Sequence, residues 1–311
     1  SFFPKLVSGP IERKGRFTEQ LNKIEEIVVW NTERLSLAVT YMLWGYFLKM
    51  VVADRLAIIV NELHGSPEAY DMVWLVMGAV FYSFQIYADF AGYSCIAIGC
   101  AMLFGIELMQ NFNCPYFSKN ITEFWRRWHM TLTGWFREYV YIPLGGNRRI
   151  SPASYLMILT IGMIIMFLAR QLWVTVLIVS LIVLLSLCLI FIPKVRKDIN
   201  TNINMMNTML FGGLWHGASW NFMIWGGLNG IGILSYKIWR KRSYGQKVLI
   251  TMAVFALFLG MNMWTPSPFY RLASVWSGIF FFGTLFGAIY RWLTRGGEIR
   301  AIGTAWSVLM T

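Results

Sequence analysis

Of the three histidines in the sequence, His216 stands in the run Phe211-Gly-Gly-Leu-Trp-His-Gly-Ala-Ser-Trp-Asn, which is uncharged and has glycines on both sides of the imidazole. Histidine is the side chain whose unperturbed pKa lies near neutrality, so it can take a hydroxyl proton as the oxygen attacks a carbonyl. Acyl transfer to a hydroxyl is one reaction that uses such a base, together with a donor for the developing oxyanion. Trp215 Nε1, Asn221 or a glycine N–H beside His216 would supply that donor, and the sequence leaves the choice open. Neither a G-x-S-x-G run nor a Ser/His/Asp order is present, so a covalent serine route has no support. His129, in Trp125-Arg-Arg-Trp-His, is a second candidate, set against the plainer reading of a hydrogen-bonded structural imidazole. His64 lies in the polar stretch Asn61–Asp71 and is assigned no role. Cys95, Cys100, Cys114 and Cys188 show neither CxxC nor Cys/His ligand spacing, so no metal site and no disulfide framework is expected.

The elements that would hold these residues are set by the solvent. The chain is 57% hydrophobic and 14% charged, with 15 Trp and 23 Phe, more apolar surface than a soluble domain of 311 residues can hide in one core. Apolar stretches of the length that crosses about 30 Å of hydrocarbon recur along it. They run approximately Leu35–Lys49, Met72–Tyr87, Tyr93–Leu108, Tyr155–Ala169, Leu172–Ile192, Val248–Trp264 and Leu272–Tyr290. The expected fold is all-α, a polytopic bundle of transmembrane helices. No fixed-period repeat is visible.

The net charge of +12 raises the question of nucleic acid. The basic residues instead form short clusters between apolar stretches: Arg13, Lys14 and Arg16; Arg148 and Arg149; Lys194, Arg196 and Lys197; Lys237, Arg240, Lys241, Arg242 and Lys247; Arg291, Arg295 and Arg300. That is the positive-inside pattern of a membrane protein, and no basic face is long enough to track a phosphate backbone. Lys197 and Lys241 are expected on the cytoplasmic side. The uncharged, two-proline stretch Thr265–Tyr270 is expected on the other.

Ionisable groups at membrane depth cost about 2.5–3.5 kcal/mol on insertion scales, so each needs a reason. Asp89 follows a predicted span and reads equally as a hydrogen-bond anchor or a contributor to the site. Arg170 divides two apolar runs flanked by basic residues, which predicts a hairpin over 150–200 with Arg170 and Gln171 at its far turn. The segment from Ile203 to Tyr236 is too short for two full crossings at about 20 residues each. It is therefore expected to form two short or tilted, re-entrant helices with His216 at their vertex, facing a cavity, since irregular backbone at that depth must be buried in protein or wetted. In Asn120–Arg137, Phe124, Trp128 and Leu132 recur every four residues with arginines between, which predicts an interfacial or re-entrant amphipathic helix. Aromatics beside Arg126 and Arg127 suit an anionic ligand such as coenzyme A, although headgroup or internal ion-pair contacts suit those arginines at least as well.

At this point the sequence resembles a known family. The runs Tyr87-Ala-Asp-Phe-Ala-Gly-Tyr-Ser, Asn111-Phe-Asn-Cys-Pro-Tyr-Phe-Ser-Lys-Asn-Ile-Thr-Glu-Phe-Trp-Arg-Arg-Trp-His, Tyr141-Ile-Pro-Leu-Gly-Gly-Asn-Arg and Gly213-Leu-Trp-His-Gly-Ala-Ser-Trp, with the opening Phe3–Ile11, are similar to blocks of the membrane-bound O-acyltransferases. The branch they resemble contains the membrane subunits of alginate O-acetylation. The resemblance implies one membrane domain over 1–311, built around a central funnel with an acyl donor on one side and an acceptor hydroxyl on the other. It maps the family's invariant histidine onto His216 and its second characteristic histidine onto His129. It also implies a bacterial cytoplasmic membrane, acetyl-CoA or another thioester as donor with no tightly bound cofactor, a polysaccharide acceptor, and an extracytoplasmic acyltransferase partner. Two departures accompany it. Helices that usually precede the block at Phe3 are absent from this sequence, which begins at Ser1 without an initiator Met or a signal peptide. The stretch between Arg149 and Asn204 is longer than the branch usually shows, so the hairpin is expected to be an insertion. A lipid or protein acceptor stays open. A transporter or channel is the other class that broken helices suggest, opposed by the scarcity of intramembrane acids and the lack of matching halves.

Overall fold

The computed structural model describes residues 2–3, 9–28, 30–191, 193–217, 219–265 and 267–295. Pro4–Ser8 of the opening block, Ala218, Pro266 and Arg300 lie outside the described residues. No strand occurs among the described residues, and the chain forms two compact units, 1–233 and 234–311.

The first unit opens with α1 (Lys14–Asn22). In α2 (Thr32–Tyr46) the Asn31 side chain accepts the Arg34 N–H at 2.9 Å and caps the helix. The helix runs on through a wider π-helical stretch, Phe47–Ala53, into α3 (Asp54–Gly65), so that Thr32–Gly65 is one apolar rod of 34 residues. The next helix, α4 (Met72–Leu103), is capped by Asp71 and has 32 residues. The sequence predicts two spans here, parted near Asp89, but the helix is continuous. Ala88, Phe90 and Ala91 contain no breaker, and the Asp89 carboxylate meets Lys49 Nζ at 2.8 Å. That ammonium also holds Asp54 at 2.8 Å. The groups are partly exposed, so in water the pair would contribute little. Its value at membrane depth is that neither charge stands alone.

α2 and α4 meet through small residues. A Cβ on Gly45 would lie 2.6 Å from Gly92 O, one on Gly92 2.8 Å from Gly45 O, and one on Gly99 2.6 Å from Ala38 O. Ala38 and Gly45 are two helical turns apart, as are Gly92 and Gly99, so each pair lines one face. Lipid tails are as apolar as leucine, and such helices associate by close fit rather than by hydrophobic burial. Gly92→Leu is therefore expected to force the pair apart, at a cost of about 1–3 kcal/mol or more because the obstacle is backbone. The measurement is size-exclusion chromatography of the detergent-extracted protein. A monodisperse peak at wild-type yield would show that the contact is dispensable.

The unit continues with α5 (Ile121–Arg127), α6 (Met130–Phe136) with its π-helical extension Arg137–Tyr141, α7 (Pro152–Ala169), α8 (Leu172–Phe191) and α9 (Pro193–His216). α7 and α8 are consecutive helices joined by a short turn. Arg170 sits in the turn with a left-handed φ of 50°, ending α7, and a Cβ on Gly162 would only touch Ile178 and Ile182, at 3.4 and 3.8 Å. α10 (Trp220–Arg240) follows and ends in the second unit.

In the second unit, α11 (Tyr244–Trp264) opens with a capping box in which the Ser243 side chain accepts from Gln246 N and the Gln246 side chain accepts from Ser243 N. α12 (Pro268–Arg295) packs along it through a Thr251–Thr284 hydroxyl hydrogen bond of 2.7 Å and stacked Phe255 and Phe281 rings, 5.9 Å between centroids. α11 buries none of its residues, so its apolar surface is available to lipid. Four helices among the described residues are long and apolar enough to cross a membrane: Thr32–Gly65, Met72–Leu103, Tyr244–Trp264 and Tyr270–Thr294. With basic residues before α11 and an uncharged turn after it, a cysteine at Lys241 is expected to resist a membrane-impermeant thiol reagent in intact cells. One at Ser267 is expected to react. Equal labelling at both positions would rule out α11 as a full crossing.

Candidate active site

His216 is the last residue of α9, and the chain turns through Gly217 and Ser219 into α10. It therefore stands at the vertex of two helices, as expected. The helices themselves are longer than expected, at 24 and 21 residues, because they extend to Pro193 and Arg240, beyond the Ile203–Tyr236 segment. Gly212 and Gly213 stay helical despite a propensity cost of about 1 kcal/mol each. Their small size is used between helices: a Cβ on Gly213 would lie 2.3 Å from Phe222 O, and one on Gly226 2.5 Å from Met209 O. This backbone approach brings α10 against α9 and sets rings around the imidazole. Trp215, Trp225 and Phe222 lie with centroids 5.0, 5.1 and 6.2 Å from it, the first two edge-on and the third stacked. His216 itself is exposed, so its ring stays open to solvent or ligand.

The other end of α9 is held by amides. Asn204, fully buried, donates to Gly146 O and Arg149 O at 2.9 and 2.8 Å and accepts from Ser154 Oγ at 2.8 Å. Asn207 donates to Ser154 Oγ at 2.9 Å. Asn200, Asn204 and Asn207 recur at helical spacing and form a buried polar stripe that ties α9 to α7 and to the turn at Gly145, whose φ of 112° and 2.0 Å approach of a would-be Cβ to Arg149 O require glycine. The sequence reading misses this stripe because it resembles a solvated face.

The predicted single helix over Asn120–Arg137 is instead two, broken at Trp128 and His129. His129 is left-handed, φ 41°, a conformation that costs a non-glycine residue about 1–3 kcal/mol and persists only where the surroundings impose it. Here the irregular segment 111–113 imposes it. Met130 N donates to Asn111 O at 2.8 Å and Asn113 N to Arg127 O at 3.0 Å, one bond on each side of the break. The Asn111 side chain, 1% exposed, accepts from Thr131 Oγ1 at 2.6 Å and donates to Ser94 Oγ at 3.1 Å, and Ile11 N donates to Thr131 Oγ1 at 3.0 Å. The His129 ring is buried against Phe90, 4.7 Å between centroids, and its Nε2 has no hydrogen-bond partner among the described residues. A buried polar atom left unpaired costs about 1–3 kcal/mol and calls for an explanation, such as a ligand.

Packing of α10 against α5 brings together the segments that follow His216 and precede His129. α10 carries Trp225 edge-on to Trp125 of α5, 5.7 Å between centroids, and Gly232 against Ile121. Trp215 is half exposed beside His216, its ring edge-on to Phe136, and Asn221 is exposed on the first turn of α10. Of the arginines, Arg127 is committed to Glu123 at 2.7 Å, an internal ion pair, whereas Arg126 is exposed. Asp89 is bound to Lys49.

The sequence model of the membrane-bound O-acyltransferase family matches residues 1–165, and the chain belongs to that family. That match includes His129 and ends before His216. Among curated relatives, a probable alginate O-acetylase of Azotobacter vinelandii is 32% identical over 91% of this chain and 47% of its own length. A peptidoglycan O-acetyltransferase of Helicobacter pylori is 35% identical over 75% of this chain and 35% of its own. A teichoic acid D-alanyltransferase of Streptococcus thermophilus is 28% identical over 78% of this chain and 49% of its own. The chain thus spans about half the length, or less, of the relatives it matches. Family and apolar helices together make it a multi-pass membrane protein.

Proposed function

We propose that this chain is the core of a membrane-bound O-acyltransferase of the bacterial cytoplasmic membrane, moving an acetyl group from acetyl-CoA to hydroxyls of an exported polysaccharide, directly or through an extracytoplasmic partner. The observation that carries the reading is the buried imidazole of His129, whose Nε2 is unpartnered among the described residues, in the unit that also holds the exposed imidazole of His216 at the glycine-packed turn between α9 and α10. In this reading the acceptor oxygen attacks the thioester carbon while His216 takes its proton. The C–O bond forms, the C–S bond breaks, and the proton passes to the departing thiolate. His129 Nε2 is the group that finds its partner when substrate is present. Trp215 Nε1 and Asn221, close to His216 in sequence, are the side chains assigned to donate to the oxyanion. Arg126, exposed and in no ion pair among the described residues, is the cation assigned to an anionic donor, since Arg127 already serves Glu123. The bacterial relatives named for alginate, peptidoglycan and teichoic acid support a cell-envelope acceptor.

The test incubates the full-length protein in membranes with radiolabelled acetyl-CoA and purified envelope glycans, alginate among them. Label in the glycan that depends on the protein is expected. Label that appears only in lipid or in a protein would move the acceptor elsewhere, and none in any fraction would overturn the reading.

A further inference from the structure

The second unit carries a cavity that the acyl-transfer reading does not use. About 540 Å³ in volume, it lies where α10 ends and α11 begins, with the last turns of α12 across from it. Four cations line it: Arg240, Arg242, Lys247 and Arg291. Tyr244 stands among them with two cations on its ring, the Arg291 guanidinium 4.3 Å and the Lys247 ammonium 4.8 Å from the centroid. Lys247 also lies 5.6 Å from the Trp239 ring. No carboxylate balances this charge from the neighbouring sequence, which contains no Asp or Glu from Ile199 to Gly297. Nor does any of the four make an ion pair among the described residues.

Cations usually spread apart in solvent. Here aromatic faces hold two of them together, since a ring face attracts each cation by about 0.5–1 kcal/mol at exposed sites. The result is a preformed concentration of positive charge. The first turn of α11 adds backbone N–H groups and the positive end of a 21-residue helix at the same place. Gly245 leaves that turn open, since a Cβ there would meet no atom within 4 Å. The surroundings choose the kind of anion. The cavity sits at the basic ends of two apolar helices, and Trp239, Tyr244 and Trp292 provide the amphipathic rings that settle at headgroup level. Basic pockets between membrane helices at that level suit phosphate headgroups.

We infer that the cavity bounded by Arg240, Arg242, Lys247 and Arg291 is a phosphate-binding site, occupied by the headgroup of an anionic phospholipid. The inference is independent of the acyl-transfer reading. The shared chemistry is a phosphate anion, and a soluble phosphate compound is the other carrier the experiment must separate.

The full-length protein, purified in detergent, would be titrated separately with phosphatidylglycerol, phosphatidylcholine, glycerophosphate and coenzyme A. Bound lipid would be counted by native mass spectrometry and thermal stability followed in parallel. Phosphatidylglycerol is expected to be retained and phosphatidylcholine to be lost, with the preference weakening as salt rises. A cation near a membrane surface contributes about a factor of five to binding an anion, so the double substitution Lys247→Gln, Arg291→Gln is expected to lower phosphatidylglycerol retention roughly 30-fold. Arg291→Lys should retain most of it, and Arg271→Gln, at the opposite end of α12, should retain all of it. The lipid-free melting temperature of each variant separates lost binding from lost folding. Stabilisation by glycerophosphate or coenzyme A that the double substitution removes would support the site and assign it to a soluble carrier. Equal retention of both lipids, or a phosphatidylglycerol preference that survives the double substitution, would overturn it.

Discussion

His216→Ala is expected to lower acyl transfer by about 100- to 10,000-fold, the range that loss of a general base commonly costs. The prediction is sharp because the residue is placed to matter little for the fold. His216 is exposed, at the end of its helix, and its contacts are ring edges and faces rather than buried hydrogen bonds. Each such contact contributes about 0.5–1.5 kcal/mol. The helix pair is held elsewhere, by Gly213 against Gly226, and α9 is anchored to α7 and the Gly145 turn by the buried amides of Asn204 and Asn207. The variant should therefore insert and express near normally. Initial rates with radiolabelled acetyl-CoA, normalised to purified protein, give the comparison. A variant that kept more than about a tenth of wild-type activity would remove His216 from the role of base.

The second large effect is one of sidedness. In sealed, inside-out vesicles of the full-length protein, acetyl-CoA added to the exposed cytoplasmic face is expected to acetylate acceptor trapped in the lumen. Donor trapped together with the acceptor is expected to give no transfer. Acetyl-CoA carries several negative charges, so it is drawn to the face that bears the basic clusters. Arg126 and Arg148 are both exposed and available to its phosphates, while its pantetheine arm is narrow enough to reach inward. A hydrated polymer cannot take the same route and must meet the acetyl group from the other face. Equal transfer from both arrangements would end the cross-membrane mechanism and leave the acyltransferase assignment intact.

Much of the architecture is legible in the sequence because lipid imposes a simple rule. Leu172–Ile192 and Val248–Trp264 reappear as helices almost at their predicted bounds, and Arg170 falls in the turn assigned to it. The vertex at His216 was legible from glycine placement. What the sequence hid lies in pairings between distant segments. Asp89 looked like the end of a span, because its neutralising partner, Lys49, lies on another helix. Nothing in the sequence marks the stripe Asn200, Asn204 and Asn207 as buried, and it is the carbonyls of Gly146 and Arg149 and the hydroxyl of Ser154 that make its burial favourable. The break at His129 was invisible for the same reason. Four-residue aromatic spacing favours a continuous helix, and main-chain bonds to Asn111 and Asn113 override it.

That break separates two properties usually bound together in one residue. The direction of the His129 side chain is dictated by a backbone kink and by hydrogen bonds belonging to Asn111, Asn113, Arg127 and Met130, none of which uses the imidazole. Identity and posture are thus independent here: the mount is built by neighbours, and the side chain it carries is interchangeable. Asparagine visits the left-handed region with little penalty, so His129→Asn should sit in the same bend with a different reactive group. A crystal or cryo-EM structure of that variant would show whether the bend is kept. Its rates would then describe the chemistry of the imidazole alone, undistorted by any change in shape.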